Sequence, residues 1–279
     1  MVAHGNAQFG VADPLLMLND MKVKGVVLAT LLQRTVIYGI SKKPLHFLIS
    51  PKDFSGKIIG VFGPPSTSFA LFQNICKECN NINLSKPEAF EIEFTDELKY
   101  IQQPDIDVVL MTEPSASIAE LEGAYRIFNG PKYFGKILNT GLFAKADYIE
   151  DSPKIVQRVV NALEKSLRFI HKEHLKTISV ACEEFSEVPK SAVEFAMLRL
   201  LLDDVVPKNT IISDESLNAL RRIREIDKPM QVIRSYVNNE FAVKANSSTL
   251  PSNEVFSLKP GMWGFSIDLK ALWKNLQGR

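Results

Sequence analysis

Hydrophobic and polar positions change their period repeatedly in the middle of the chain. Short apolar runs of strand length are each followed by a segment whose apolar residues recur every three or four positions, which is typical of a helix. The strand-like runs lie at 57–62, 90–94, 106–111 and 137–143, and the helical segments lie at 66–79, 96–103 and 117–123. Because strands that alternate with helices usually run side by side in one direction, this order predicts a parallel sheet with helices on both faces.

The segments on either side of this part have a different character. Two apolar runs at 24–32 and 36–41 predict strands, and Leu15–Asp20 has the pattern of a short helix. After Asp151, helical spacing dominates, with helices expected at 153–170, 175–185, 189–204, 214–226 and 236–245. Residues 246–279 have the character of an extension, in which Phe265–Leu276 predicts an amphipathic helix that carries Trp273.

The stretch from Ser50 to Ser68 holds the transition most relevant to chemistry. Gly63-Pro64-Pro65 breaks an apolar strand, and the hydroxyl residues Ser66-Thr67-Ser68 open the following helical pattern. A helix that starts at the end of a strand directs its first N–H groups and the positive end of its dipole at an anion or a polarised oxygen. The alternative is that Ser66 or Thr67 only caps its own helix. The stretch is not a P-loop, because no Gly-Lys-Ser/Thr follows.

The composition narrows the function classes. Hydrophobic residues make up 46% of the 279 residues and charged residues 23%, which is typical of a soluble globular protein. Lys and Arg number 33 against 32 Asp and Glu, so nothing in the charge predicts a nucleic-acid partner. The sequence shows no apolar run long enough to span a membrane and no visible signal peptide.

Cysteine and histidine positions do not predict a metal site or another cofactor. Cys76 and Cys79 have CxxC spacing, but no second pair of Cys or His residues stands nearby to complete a zinc site. With Cys182 they are better interpreted as free thiols. His171 and His174 share a helix face but lie in a Lys- and Glu-rich stretch, so a solvated surface is the better interpretation.

Five segments, in order along the chain, resemble the solute-binding proteins of ABC importers for nitrate, sulfonates, taurine and thiamine-precursor pyrimidines. The resemblance covers residues 5–245 and depends on the order and spacing of the segments, because none is decisive alone. The segments are GNAQFGVADP at 5–14, QR at 33–34 after an apolar strand, SPKDFSGKIIGV at 50–61, EP at 113–114 after a strand, and YVNNEFA at 236–242.

The resemblance implies an α/β, two-lobed periplasmic-binding-protein-like (type II) fold. Lobe one would comprise residues 1–50 plus 145–245, lobe two 51–144, and residues 246–279 would be an extension, with crossings near 46–52 and 141–148. The family's first strand–helix–strand has no counterpart before the 5–14 segment, so lobe one is expected to be truncated at its N-terminus. The unpaired sheet edge that this implies would be an association hazard.

The resemblance also implies a binding site between the lobes and no catalysis. Gln33 and Arg34 would contact a small-molecule solute from lobe one, with Asp13 as a weaker candidate. From lobe two, donors would come from Gly63, Ser66, Thr67 and Ser68, and Glu113 would bind an amine or orient a neighbour. The expected partner is the membrane permease of an ABC importer, and the expected location is periplasmic or extracytoplasmic.

Two alternatives stay open at this point. The same fold is used by pyrimidine-synthase-like enzymes. Those enzymes carry a cysteine-rich signature, but the matching region of this chain, residues 131–136, contains no cysteine. The second alternative is a truncated or repurposed relative without a transport role, in which residues 246–279, with Trp263 and Trp273, serve another purpose. The ligand's identity, the oligomeric state and the role of the extension are not predicted by the sequence.

Overall fold

The computed structural model describes residues 2, 7–14, 25–93 and 96–247, together with the backbone of 258–261 and 264–267. The strands are β1 Phe9–Ala12, β2 Gly25–Leu32, β3 Tyr38–Ser41, β4 Ile58–Phe62, β5 Glu88–Ile92, β6 Val108–Met111, β7 Tyr125–Asn129, β8 Thr140–Lys145, β9 Leu258–Gly261 and β10 Gly264–Ile267. The helices are α1 Pro51–Phe54, α2 Thr67–Asn81, α3 Glu97–Tyr100, α4 Ser115–Leu121, α5 Gly130–Phe134, α6 Ala146–Asp151, α7 Pro153–Lys172, α8 His174–Glu184, α9 Lys190–Leu202, α10 Asp214–Ile223, α11 Met230–Arg234 and α12 Glu240–Ser247. The predicted helix at Leu15–Asp20 lies outside the described residues.

A five-stranded sheet with the order β5-β4-β6-β3-β7 contains the alternating part of the chain. Strands β5, β4 and β6 are parallel, but β3 is antiparallel to both β6 and β7. The parallel arrangement predicted for the strand runs at 57–62, 90–94 and 106–111 is therefore confirmed, whereas the strand predicted at 36–41, which was expected in lobe one, joins this sheet in the antiparallel direction. The pattern of apolar residues reports burial and does not report strand direction. Strand β7 was not predicted because it begins with an exposed tyrosine, Tyr125, and a half-buried arginine, Arg126.

A second sheet has three antiparallel strands in the order β1-β8-β2. The apolar run at 137–143 was expected to close the alternating unit, and this expectation is wrong, because β8 pairs between β1 and β2 instead. The chain passes to the five-stranded sheet between Leu32 and Tyr38 and returns between Asn129 and Thr140. These connections differ from the crossings expected near 46–52 and 141–148.

Each face of the five-stranded sheet is covered by its own apolar cluster. Alternate residues of β6 belong to different clusters, with Val108 and Leu110 in one and Val109 and Met111 in the other, as the pleat of a strand requires. In the first cluster, the ring of Phe128 makes edge contacts with Phe54, Tyr133 and Phe134. This aromatic group fixes α1 and α5 against β7 and so positions one end of the sheet.

The three-stranded sheet is covered by helices from the second half of the chain. Leu28 and Ala29 of β2 and Leu142 of β8 pack with Val156, Val159 and Val160 of α7. The helices at 174–184, 190–202, 214–223 and 240–247 lie within a few residues of the predicted ranges. Among the described residues, no helix combines the length and the apolar character that a membrane span requires.

The extension forms a hairpin of β9 and β10 where it is described. Phe265, Ser266 and Ile267 belong to strand β10, so the predicted amphipathic helix is wrong for these residues. The remainder of Phe265–Leu276, and both Trp263 and Trp273, lie outside the described residues.

Phe128→Ala should lower the free energy of unfolding by about 3–5 kcal/mol, because the side chain is fully buried among three other rings. Phe47→Ala is the control, since that side chain is 46% exposed and its loss should cost no more than about 0.5 kcal/mol. Urea unfolding followed by circular dichroism measures both values. Equal losses in the two variants would contradict the assigned core.

Candidate functional site

One edge of the five-stranded sheet brings together the starts and ends of several strands. Tyr38 at the start of β3 pairs with Met111 at the end of β6 and with Asn129 at the end of β7. Because β4 is parallel to β6, Gly63 and the start of α2 lie at the same edge. Ligands of α/β sheets commonly bind at the carboxyl ends of the parallel strands, so this edge is the candidate site.

The start of α2 is shaped by its own residues. A Cβ atom at Gly63 would lie 3.0 Å from the Glu91 Oε2 atom, the end of a flexible and exposed side chain that can move aside, so the position does not require glycine. The Ser66 hydroxyl accepts a hydrogen bond from the Phe69 N–H at 3.1 Å and donates one to the Phe62 carbonyl at 2.8 Å. Ser66 is thus the N-cap, and the capping interpretation of this residue is confirmed.

Thr67 joins a cluster that crosses from one sheet to the other. Its hydroxyl donates a hydrogen bond to the Asp13 Oδ2 atom at 2.7 Å. The Arg224 Nη2 atom pairs with the same carboxylate oxygen and lies 3.2 Å from the Thr67 Oγ1 atom. Asp13 follows β1 and Arg224 follows α10, so the three side chains connect the three-stranded sheet and α10 to the start of α2.

Two further polar atoms are buried near the start of α2, one in Arg224 and one in Ser68, the residue after Thr67. The Ser68 hydroxyl and the Arg224 Nε atom are inaccessible to solvent and have no hydrogen-bond partner among the described residues. The first N–H groups of a helix also lack partners within the helix and carry its positive partial charge. A guanidinium, hydroxyl groups and helix N–H groups together suit an anion.

Glu113 lies at the end of β6 but is paired within the chain. Its Oε1 atom accepts a hydrogen bond from the Arg199 Nη1 atom at 2.6 Å, and its Oε2 atom accepts one from the Ser117 N–H at 3.2 Å. Arg199 also pairs with Glu120 and lies over the Tyr38 ring, 5.0 Å from its centroid. Burial raises the pKa of the Glu113 carboxyl, although the charge of Arg199 opposes this shift.

A buried polar group next to this pair holds the end of α9 on the sheet edge. The Asp203 Oδ2 atom accepts hydrogen bonds from the Tyr38 hydroxyl at 3.2 Å and from the Asn129 Nδ2 atom at 2.8 Å. The Lys132 Nζ atom lies 3.4 Å from the Asp203 Oδ1 atom. Burial, reinforced by the negative charge of Asp203, raises the pKa of the Tyr38 phenol, so the phenol stays neutral and donates.

Gln33 and Arg34 lie in the first connection between the sheets and contact neighbouring backbone. The Gln33 Nε2 atom donates to the Asp204 carbonyl at 3.0 Å. The Arg34 Nη1 atom donates to the Pro131 carbonyl at 3.0 Å, and its Nη2 atom lies 3.6 Å from the Asp204 Oδ2 atom. Arg34 therefore joins the two connections to each other and to the end of α9.

The eight candidate residues fall into three groups. Asp13 and Thr67 are in direct contact at the start of α2, where Gly63, Ser66 and Ser68 also lie. Gln33 and Arg34 form the second group, and Glu113 with Arg199 forms the third. The assignment of these side chains to a solute stays a prediction.

Sequence reasoning missed the charged partners that complete these groups. Arg199, Asp203 and Arg224 lie in or just after helices, and each is at least 74 positions along the chain from its partner, Glu113, Asn129 or Asp13. No local motif marks them, because each is one charge within an ordinary helical pattern. The usable signal was Arg199 itself, a cation inside the apolar segment FAMLRLLL at 195–202.

Two other features lie apart from this edge. A groove of about 780 Å³ is lined by residues that include Val26, Ile149, Val237 and Lys244, and none of the eight candidate residues lines it. Within the part of the chain that the structure describes, no group of three or more His, Cys, Asp and Glu side chains could hold a metal ion. The His171 Nε2 atom lies 3.1 Å from the carbonyls of Val206 and Pro207.

The family model described as NMT1/THI5 like matches residues 1–174, which is more than half of the chain. No curated protein matches at the significance required. Among solved structures, the alkanesulfonate-binding protein SsuA from Xanthomonas axonopodis pv. citri, bound to MOPS, is similar with 15% identity and a TM-score of 0.63, over 85% of this chain and 82% of that one.

Two more solved structures extend this comparison. The periplasmic aliphatic sulphonate binding protein SsuA from Escherichia coli has 13% identity and a TM-score of 0.64, over 88% of this chain and 81% of that one. The desulfurization enzyme DSZB has 11% identity and a TM-score of 0.60, over 85% of this chain and 84% of that one. At these identities the comparisons show the fold, which is α/β and periplasmic-binding-protein-like, as the sequence predicted.

Arg199→Met should destabilise the fold by about 3–5 kcal/mol at pH 7, because it leaves the buried Glu113 carboxylate without its cation, whereas Glu120 keeps Arg126 at 3.5 Å. The loss should be smaller at pH 4.5. Without the guanidinium, burial raises the Glu113 pKa further above its unfolded value, so protonation of the folded state restores stability as the pH falls.

Arg234→Met is the matched control, because Arg234 pairs with Asp214 on the surface and both side chains are more than half exposed. Its melting temperature should equal that of the wild type at both pH values. Thermal denaturation of the two variants at pH 4.5 and pH 7 measures the difference. A loss for Arg199→Met that stays constant with pH would contradict the role given to the buried Glu113 carboxylate.

Proposed function

Because the chain belongs to the NMT1/THI5-like family, we propose that it binds a small polar or anionic solute and delivers it to the permease of an ABC importer. Support comes from structural neighbours named as alkanesulfonate-binding and aliphatic sulphonate binding proteins, one of them bound to MOPS. The proposal is of a binding protein that acts without catalysis. It implies an extracytoplasmic location, since an importer receives its solute on the extracytoplasmic side of the membrane.

The proposed solute site is a cleft between two lobes. One lobe would be built on the five-stranded sheet, residues 38–129, and the other on the three-stranded sheet and the helices after β8. The connections at 33–37 and 130–139 would be the crossings, which moves the proposed boundaries away from 50/51 and 144/145. A cleft at the carboxyl edge of the five-stranded sheet agrees with where α/β sheets bind ligands.

The observation that carries the proposal is Arg224 beside Thr67 at the start of α2. Arg224 brings a guanidinium, paired with Asp13 in this structure, to a helix end that is already favourable for anions. Glu113 does not call for an amine on the solute, because both of its carboxylate oxygens already accept hydrogen bonds. We therefore propose a sulfonate or a similar anion, in preference to an aminopyrimidine.

A thermal-shift panel of methanesulfonate, taurine, nitrate, acetate and an aminopyrimidine tests this proposal. A ligand present at about 100 times its dissociation constant should stabilise the fold by about 2.7 kcal/mol. We expect a rise in melting temperature with a sulfonate, and we expect Arg224→Gln to remove the rise because the variant loses the positive charge. Titration calorimetry on the ligand that responds gives the affinity.

Arg222→Gln is the matched control, since it removes a charge from the end of the same helix, and no ion pair or side-chain hydrogen bond with a described residue is assigned to Arg222. This variant should respond to the ligand as the wild type does. A ligand response that survives in Arg224→Gln would contradict the proposed site. A cooperative melt with no response to any anion in the wild type would contradict anion binding itself.

A further inference from the structure

The donors assigned to a solute at the start of α2 already hold an anion that belongs to the chain. The Thr67 hydroxyl and the Arg224 guanidinium both converge on one oxygen atom, the Oδ2 atom of Asp13. The Asp13 side chain is 5% exposed and that of Arg224 10% exposed. A carboxylate in this position has the charge, the acceptor atoms and the location that the proposed function gives to the solute.

Asp13 reaches this position from the opposite side of the proposed cleft. It directly follows β1, whose strand pairs with β8 in the three-stranded sheet, whereas Thr67 begins the helix that follows β4 in the five-stranded sheet. The contact therefore links the two sheets through charge-assisted hydrogen bonds, which are stronger than bonds between neutral groups. Such a link also holds the two sides of the cleft together before any solute arrives.

Resting on the proposed function, we propose that Asp13 is a built-in competitor that occupies the anion position, and that a solute binds by displacing its carboxylate from Thr67 and Arg224. A ligand then gains only the difference between its own interactions and those of Asp13. This makes Asp13 a specificity-determining residue, because an anion that merely repeats the contacts of a carboxylate has no advantage over it.

The competition favours an anion with three equivalent oxygen atoms. The Thr67 hydroxyl and the Arg224 Nη2 atom both donate to a single oxygen atom of Asp13, while the Arg224 Nη1 atom donates to the Pro65 carbonyl at 3.2 Å. A sulfonate offers three acceptors, so it can meet the hydroxyl, the guanidinium and a helix N–H group at the same time. Two buried donors without partners among the described residues belong to Arg224 itself, through its Nε atom, and to Ser68, the residue after Thr67.

Asp13→Asn tests the competition, because the amide keeps the shape of the side chain and removes its charge. We expect the variant to bind methanesulfonate at least tenfold more tightly than the wild type, measured by titration calorimetry. We also expect it to lose discrimination, so that acetate, a plain carboxylate, binds measurably to the variant and not to the wild type. Without ligand its melting temperature should fall, since the link between the sheets is weakened.

Asp105→Asn is the matched control, because it removes the same charge from an exposed turn. It should bind methanesulfonate as the wild type does. Equal or weaker binding by Asp13→Asn, while the wild type and the control bind, would overturn the competition and leave the proposed function standing. No binding of methanesulfonate by the wild type or by either variant would overturn both the competition by Asp13 and the proposed function.

Asp13→Ser provides a second variant in case the asparagine amide makes new contacts with Arg224. It should show the same gain in affinity, because it too removes the competing charge. If neither variant melts cooperatively while the control does, Asp13 is a residue needed for folding, and the proposal is overturned.

Discussion

The arrangement at the edge of the five-stranded sheet depends on a single constraint, which is that a buried charge must be paired. Arg199 brings a guanidinium into contact with Glu113, Glu120 and the Tyr38 ring, in a region where an isolated ion would cost several kcal/mol. Asp203 brings a carboxylate to Tyr38 and Asn129 in the same way. Because each charge finds its partner only when α9 lies against the strand ends, the pairs fix where the second half of the chain meets the first.

The same constraint explains the character of the proposed binding site. At the start of α2, the carboxylate of Asp13 is paired with the guanidinium of Arg224 and accepts a hydrogen bond from the Thr67 hydroxyl. Neither charge therefore faces an apolar neighbour alone. Under the proposed function, a site built in this way exchanges one anion for another with a small net change in energy, which suits a solute that is held and then released to a permease.

The sequence predicted a good part of the fold and some of the residues that meet at the sheet edge. Alternating apolar runs placed β4, α2 and β6 close to their observed bounds, and the hydroxyl residues after Gly63 marked the start of α2. Asp13 and Thr67, two residues chosen from separate motifs, are in direct contact. The order of the motifs also predicted the α/β periplasmic-binding-protein-like fold, which the structural comparisons support.

The amino-acid sequence by itself determined the local elements, because strand and helix periods, prolines and caps act over a few residues. Only the tertiary structure decided that β3 runs antiparallel, that β8 joins the three-stranded sheet and that Glu113 is paired with Arg199. Strand direction leaves no trace in a pattern of apolar residues, and an ion pair between residues 86 positions apart leaves none in a motif. The partners of a buried charge are chosen by packing, and packing exists only once the chain has folded.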